Sequence, residues 1–498
     1  MTMHTRARPS TVTSTLARDR LGVLAVLAFV LAGVAPLTVS AGLIPAAYAS
    51  TGLTGIPAAF VLIAIVLAVF ATGYMAMSRH ITNAGAFYAF IAQGLGRIPG
   101  VAAALIALGA YSCLQIALYG MFGPTLAVQV AAHLGIHAQW WVWALAAWAV
   151  VAVLGLLIRV DITGKLLGTL TGVEITVILA LSISGLAHPA GGHLSFATLS
   201  PREVTAAGWG TAGVLAVIAV LGFSGFEQAP VLAEEAVRPR RTIPVTTYTA
   251  LGLIALVYAG SAWAMAAHAG TARVVAAAGA QGPALMFGMG GGFLSQAGQW
   301  LFLTSLFAAC LSFHNAVLRY AYSLGREGVL PGRFGKTAAS SIPRAASLAQ
   351  SGTGLAVIGA FALAGWPPET GLFFGGGTTG GLGILILLAL TSVAVIAFFR
   401  RGRRGESAWS RLIAPGLAAA VLTALIVLAV QHYSTLLGVP PGAPAAWALP
   451  ASYAVLAVTG VAWALVLRAW RPHVYRTIGM GIYAPAGQDA PARHGMHG

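Results

Sequence analysis

Two long apolar segments of this chain are interrupted at corresponding places, and these interruptions limit the folds open to it. The first reads Ala35-Pro36-Leu37-Thr38 and the second Gly222-Phe223-Ser224-Gly225. Pro36 has no amide hydrogen and its ring clashes with the preceding turn, while Gly33 nearby lowers helix propensity. A helix that breaks in hydrocarbon must satisfy its freed backbone groups internally, and in secondary transporters those groups commonly hold substrate or ion. The carbonyls that end one half-helix attract a cation, and the amides that open the next attract an anion. A zwitterionic amino acid carries both charges close together and matches such a break. A simple proline kink is the competing reading of the first segment.

Around these breaks the chain is apolar almost throughout. Its 498 residues are 58% hydrophobic and 8% charged, with a mean hydropathy of +0.86. That is too little charge to cover a soluble surface. Runs of about 20 apolar residues recur, each long enough to cross a bilayer core. The pattern predicts helices over 21–50, 53–78, 99–130, 139–160, 164–188, 209–236, 243–268, 297–323, 345–366, 370–399, 410–433 and 446–470. This is an all-α polytopic membrane protein of 12 transmembrane helices. The first five (21–188) and the next five (209–399) superpose as an inverted repeat, because an odd count reverses the sense of the second half. The last two, within 410–470, are additional helices. Residues 1–20 and 471–498 form polar tails, expected to lack structure from 477 onward. Ala86–Ala92 is too short to span and, with Arg97 behind it, reads as an interfacial helix. A short helix is expected near Pro283–Phe287 in the long 269–296 loop.

A net charge of +16 raises the question of nucleic acid, but the positive residues sit in short clusters between apolar runs. They fit the positive-inside rule instead. Of 27 Lys and Arg, only Arg202 and Arg273 fall in loops on the other side. Arg6/Arg8/Arg18/Arg20, Arg238/Arg240/Arg241, Arg326/Arg333/Lys336 and Arg400/Arg401/Arg403/Arg404 share one side. Both termini are therefore expected to be cytoplasmic. The partners expected are the lipid bilayer and a small-molecule substrate, not nucleic acid. The sequence leaves the oligomeric state open. Cys113 and Cys310 give neither metal spacing nor a disulfide framework. No metal or cofactor is expected, and no catalytic set is recognisable.

Ionisable and polar residues inside the spans mark candidate sites. Glu227 follows the second break and is read as a cap on the exposed amides or a partner across the bundle. Tyr111, Gln115 and Tyr119 are four apart on one stripe of the third helix, set to line a pocket or to bond a neighbouring helix. Ser312, His314 and Asn315 lie at mid-depth in the eighth helix, and His314 is either a titrating group or a packing residue. Gly375-Gly376-Gly377-Thr378-Thr379-Gly380-Gly381 permits close helix approach, and Phe373 and Phe374 are placed to close a pocket from outside. The candidate substrate residues are thus Ala35, Pro36, Leu37, Thr38, Gly222, Phe223, Ser224, Gly225, Tyr111 and Gln115.

The run GFSGFEQAPVLAEEAVRPRRTIP resembles the sixth-helix signature of the amino acid–polyamine–organocation (APC) permeases. It matches at Gly225-Phe226-Glu227, Glu234-Glu235 and Pro239-Arg240-Arg241-Thr242-Ile243-Pro244. Asn83-Ala84-Gly85-Ala86-Phe87-Tyr88 resembles the family motif after the second helix. Arg319-Tyr320 through Gly325-Arg326-Glu327-Gly328-Val329-Leu330-Pro331 resembles the motif after the eighth. The resemblance implies the leucine-transporter fold and alternating access. The first break departs from the family's glycine-rich form, which bears on substrate identity. Proton-coupled members carry a lysine part-way along the fifth helix, where this chain has Glu174. Glu174 is accordingly the candidate coupling residue, with His314 next, although a permanently hydrogen-bonded structural acid is the alternative.

These readings combine into a permease of the plasma membrane of a prokaryotic cell that imports a small amino acid, with proton symport as the expected coupling. The alternatives are an uncoupled amino acid or polyamine exchanger, and a non-transporting sensor on the same scaffold. The charge asymmetry makes a direct prediction. In a cysteine-free background, a cysteine replacing Ala277 should react with an impermeant thiol reagent in intact cells, and one replacing Ser407 should not. Labelling at 407 and not at 277 would invert the assignment.

Overall fold

The structure, a computed structural model, describes residues 19–157, 160–337 and 342–481. Most of the expected tails, 1–18 and 482–498, lies outside the described residues. Within them, twelve helices are long and apolar enough to cross a membrane. They are α1 (Val23–Thr51), α2 (Ile56–Ser78), α3 (Arg97–Leu134), α4 (Trp140–Leu157), α5 (Ile162–Ala187) and α6 (Trp209–Leu232). They continue as α7 (Pro239–Ala269), α8 (Gly292–Arg326), α9 (Arg344–Ala364), α10 (Pro368–Arg400), α11 (Trp409–Gln431) and α12 (Pro444–Trp470). Each coincides with a predicted segment to within a few residues.

The two interruptions are where the sequence puts them. The first half of α1 ends at Val34, Ala35 turns into the left-handed region at φ 53°, and Pro36 opens the next turn. Proline suits that first position, where its missing amide would have no intrahelical partner. A wide turn over Val39–Leu43 follows before regular helix resumes. In α6 the regular helix stops at Gly222, and a tighter helix runs from Phe226 to Leu232. Gly225 between them has φ 118°, a conformation that glycine tolerates and other residues avoid.

Burial ranks the helices. Over its most apolar stretch α1 is 78% buried and α6 72%, against 22% for α4 and 17% for α12. α8 and α10 are buried to the same degree, 78% and 72%, so the two broken helices share the centre with them while α4 and α12 face outward. α1 packs against α5, α7 and α8, and α3 packs against α8, α10 and α12. The helix Ala86–Leu95 is not an interfacial helix: its residues from Ala86 to Ala92 are buried against α3 and α10. Tyr74 of α2 stacks on Phe87 with ring centroids 5.5 Å apart. The aromatic face of that helix packs on Tyr74 within the protein.

The C-terminal region is also more ordered than expected. Pro472–Thr477 is a short helix, and the chain beyond it doubles back against the arginine-rich face. There the Gly479 and Gly481 amides donate to the Glu327 carboxylate at 2.6 and 2.8 Å. Asn83 Nδ2 donates to the same carboxylate at 3.0 Å, and the Tyr88 hydroxyl makes a fourth bond to it. Burial pushes the Glu327 carboxyl up, and these donors oppose the shift.

On the same face Arg79 clamps Glu406 through two bonds, Nε at 3.0 Å and Nη2 at 2.8 Å. Burial alone would raise the Glu406 carboxyl, but the Arg79 bonds and charge outweigh it and hold it below the ordinary range. A lowered folded-state value gives stability that is present above the unfolded value, near 4.3, and is lost as pH falls through the folded one. The difference in Tm between wild type and Glu406→Gln should hence stay constant from about pH 7 to 5 and shrink below about pH 4. A difference that grows on acidification would contradict the pairing.

Candidate substrate site

The two breaks touch. A Cβ built on Gly225 would lie 2.7 Å from the Val34 amide nitrogen and 2.8 Å from the Gly33 carbonyl carbon. No side chain fits there, since the obstacles are backbone atoms. Gly33 in turn faces α6 and α8, its own Cβ position lying 2.5 Å from Gln228 Nε2 and 3.0 Å from Ser312 Oγ. Glycine on both sides lets the two open backbones approach.

Beside this contact lies a cavity of about 120 Å³ lined by Ala35, Thr38, Ser224, Leu118, Phe313, Phe373, Phe374 and Thr378 among others. A water molecule takes about 30 Å³ of liquid, so the space suits a small solute. Of the expected substrate residues, Ala35, Thr38 and Ser224 reach this cavity. Ser224 Oγ is buried and has no hydrogen-bond partner. Pro36, Leu37, Gly222, Phe223 and Gly225 build the surrounding breaks without lining it.

Tyr111 and Gln115 point elsewhere. The Tyr111 hydroxyl donates to Glu227 Oε1 at 2.8 Å. Gln115 Nε2 donates to the Tyr119 hydroxyl at 3.0 Å, and its carbonyl accepts from Gln350 of α9. Their stripe bonds neighbouring helices, the second of the two roles its spacing allows. Glu227 closes the second break: its Oε2 accepts the Gly225 amide at 2.8 Å, and its own carbonyl accepts the Tyr74 hydroxyl at 3.1 Å. The acid thus holds the first turn after the break, where an amide lacks a helical partner.

Glu174 of α5 sits against the first break. Its carboxylate lies beside the Ser305 hydroxyl and the Leu37 amide, and Oε1 has no hydrogen-bond partner. Ser305 Oγ also accepts from the Thr38 amide at 3.2 Å and the Thr38 hydroxyl at 3.1 Å. The Thr38 amide is therefore held by Ser305, beside the Glu174 carboxylate, and Thr38 also lines the cavity. His314 is remote from both breaks. Its Nε2 contacts Ser347 Oγ of α9 at 3.0 Å and it fills the space above Gly155 of α4. Ser305 and Phe313 escaped the sequence reading. Ser305 stands two helical turns before Ser312, so the spacing of the two serines puts both on the face of α8 that meets α1.

The three stretches resembling permease motifs converge on the arginine-rich face. Arg319 Nε bonds Glu235 Oε2 at 2.6 Å, and Arg326 forks onto Glu234 with both bonds at 2.7 Å. The Ala84 amide donates to Glu234 Oε1 at 3.0 Å. The strand-like segment before α1 pairs with the one after α6, the Val237 amide donating to the Leu21 carbonyl at 2.8 Å. These contacts shut the bundle beneath the breaks. Towards the opposite face, Phe374 separates the small cavity from a vestibule of about 570 Å³ that it also lines with Glu369, Gln129 and Gln281.

Twelve spans, two broken helices in contact and a small cavity beside them define a multi-pass membrane transporter. Residues 21–462 match the amino acid permease family, and the chain belongs to that family, within the APC superfamily. No curated protein matches the chain.

The contact between the breaks generates a prediction. Gly225→Ala adds a Cβ against backbone and holds alanine at positive φ, a cost of about 1–3 kcal/mol. The variant should show a lower Tm and lose substrate binding together. Ser224→Ala should keep the wild-type Tm and weaken binding alone. A Gly225→Ala protein with unchanged Tm and affinity would remove the contact from the account.

Proposed function

We propose that the protein imports a small neutral amino acid by alternating access, coupled to proton entry, with the arginine-rich face in the cytoplasm. The five-plus-five repeat supplies the moving halves. The observation that carries the coupling is the placement of Glu174, whose carboxylate reaches the Leu37 amide and, through Ser305, Thr38 at the edge of the cavity.

The chemistry follows from those bonds. An ionised carboxylate is an acceptor and carries the charge that complements the amides opening the second half of α1. A protonated one carries no charge, offers a donor to a site made of donors, and releases its hold. Proton and substrate then act on the same half-helix, which is what coupling requires: both must bias one two-state element. The Ser224 hydroxyl and the polar edge of Thr38 are the groups proposed to meet the substrate's charged ends, with Leu118 and Phe313 around its side chain. The size of the cavity favours a small substrate, and the lack of acidic lining disfavours a polyamine. Phe373 and Phe374 would close over the occupant from the vestibule. His314, held between α4 and α9, does not share the half-helix and is not assigned a coupling role.

Uptake in proteoliposomes, screened over labelled amino acids with imposed pH or sodium gradients, tests the transport reading. Glu174→Gln, a permanent mimic of the neutral acid, tests the coupling. It should abolish uphill uptake driven by a pH gradient, while counterflow at equal pH partly survives. Proton-driven accumulation at the wild-type level in this variant would make Glu174 structural. Sodium-driven uptake or gradient-independent exchange in the wild type would replace the symport reading.

A further inference from the structure

Six arginines on the arginine-rich face differ in how their charge is met. Arg79, Arg319 and Arg326 each pair with a carboxylate. Arg97, Arg401 and Arg404 do not: among the described residues, no carboxylate lies within ion-pair distance of them. Arg97 Nη2 donates to the Arg476 carbonyl at 3.0 Å and lies 5.5 Å from the Tyr475 ring centroid. Arg401 Nη1 donates to the Gln93 carbonyl at 2.9 Å, and Arg404 sits 4.2 Å over the Phe398 ring. Neutral carbonyls and rings orient these guanidinium groups and leave their charge uncompensated.

All three line one cavity of about 630 Å³, together with His80, Thr82 and Gln93, and no acidic side chain lines it. The cavity lies where α2 ends, α3 begins and α10 ends, with the buried Ala86–Leu95 helix and the C-terminal segment as its other walls. Its remaining walls are apolar, built from Ile81, Ala92, Phe398, Ile478 and Met480. Burial, with the charges of Arg404 and Arg79, lowers the His80 imidazole against the opposing pull of Glu406, so near neutral pH His80 offers hydrogen bonding rather than a fourth charge. Three fixed cations facing a shared space repel one another unless an anion joins them, and planar guanidinium groups fit phosphate oxygens in pairs. A basic recess with apolar walls at the end of membrane spans fits a phosphate attached to acyl chains.

We propose that this cavity binds a phosphate-bearing anion, held by Arg97, Arg401 and Arg404 with Thr82 and Gln93. Such a ligand ties three separate pieces of chain together: the start of α3, the end of α10 and the C-terminal segment. It therefore reinforces the packing of that segment, which Glu327 fixes from the other side through the Gly479 and Gly481 amides. Both an anionic phospholipid headgroup and free phosphate have this chemistry.

Thermal unfolding of the full-length protein in a neutral detergent, with three additives, tests the site. Short-chain phosphatidylglycerol, short-chain phosphatidylcholine and inorganic phosphate are titrated separately. Wild type should gain Tm with phosphatidylglycerol and not with phosphatidylcholine. A further gain with inorganic phosphate alone identifies free phosphate as a sufficient ligand, and a gain with the lipid alone identifies the headgroup. The triple variant Arg97→Gln/Arg401→Gln/Arg404→Gln should need at least about tenfold more ligand for the same shift, as expected from losing charge-assisted hydrogen bonds. Arg404→Gln alone, at an exposed position with only a ring contact, serves if the triple variant folds poorly, and should weaken binding severalfold. Arg240→Gln/Arg241→Gln, outside the cavity, should bind as wild type does. No shift with either phosphate ligand overturns the site, as does an equal shift in the cavity variants and wild type. Equal weakening by the Arg240/Arg241 pair assigns the effect to general surface charge and overturns it also.

Discussion

The approach of two helix breaks organises this protein. Gly225 lies against the backbone of Gly33 and Val34 so closely that a single added carbon has no room. That contact fixes where α6 crosses α1, and through the packing of α1 on α5, α7 and α8 it fixes the centre of the bundle. Buried side chains meet freed backbone groups at the crossing: Glu227 holds the Gly225 amide, Ser305 the Thr38 amide, and the Tyr258 hydroxyl reaches the Val34 carbonyl at 3.1 Å. The Ser224 hydroxyl beside the cavity has no partner. In hydrocarbon an unpaired polar group costs several kcal/mol, and a site built from such groups is primed for a polar solute.

The charges cluster at one end of the same structure. Glu234, Glu235, Arg319, Arg326 and Glu327 all lie beneath the breaks and join the segments flanking α1, α2, α6 and α8. Removing one partner of a buried ion pair leaves the other unpaired, which costs far more than the pair contributes. Such pairs act as latches: favourable when closed, and requiring concerted separation to open. The structure is latched at the arginine-rich end, while at the other end Phe374 lines both the cavity and the vestibule. In the proposed cycle this is the conformation that receives substrate from outside.

Much of the fold was legible because membranes impose simple rules. Spans of sufficient apolar length had to be helices, and Pro36 and the Gly222–Gly225 segment had to interrupt two of them. Glu174 and Glu227 stood out as carboxylates in hydrocarbon. Local pattern failed where a side chain's direction depended on neighbours far along the chain. Tyr111 and Gln115 form a polar stripe at helical spacing, yet they reach Glu227 and Gln350 rather than the cavity. The Ala86–Leu95 helix has the composition of an interfacial segment and is buried because Tyr74, α3 and α10 surround it. Ser305 carries no mark in the sequence beyond its spacing from Ser312, yet it joins Glu174 to Thr38.

The sequence by itself determined the membrane-spanning class, the number and bounds of the helices and the positions of the two breaks. Each of these follows from local composition acting against a uniform solvent, the bilayer. Only the tertiary structure decided which polar groups face the cavity and which satisfy one another. It also brought Gly479 and Gly481 to Glu327 and set Arg97, Arg401 and Arg404 around one recess. These outcomes depend on residues up to several hundred positions apart coming within hydrogen-bond distance, and pairing of that kind is settled by packing and charge compensation rather than by periodicity.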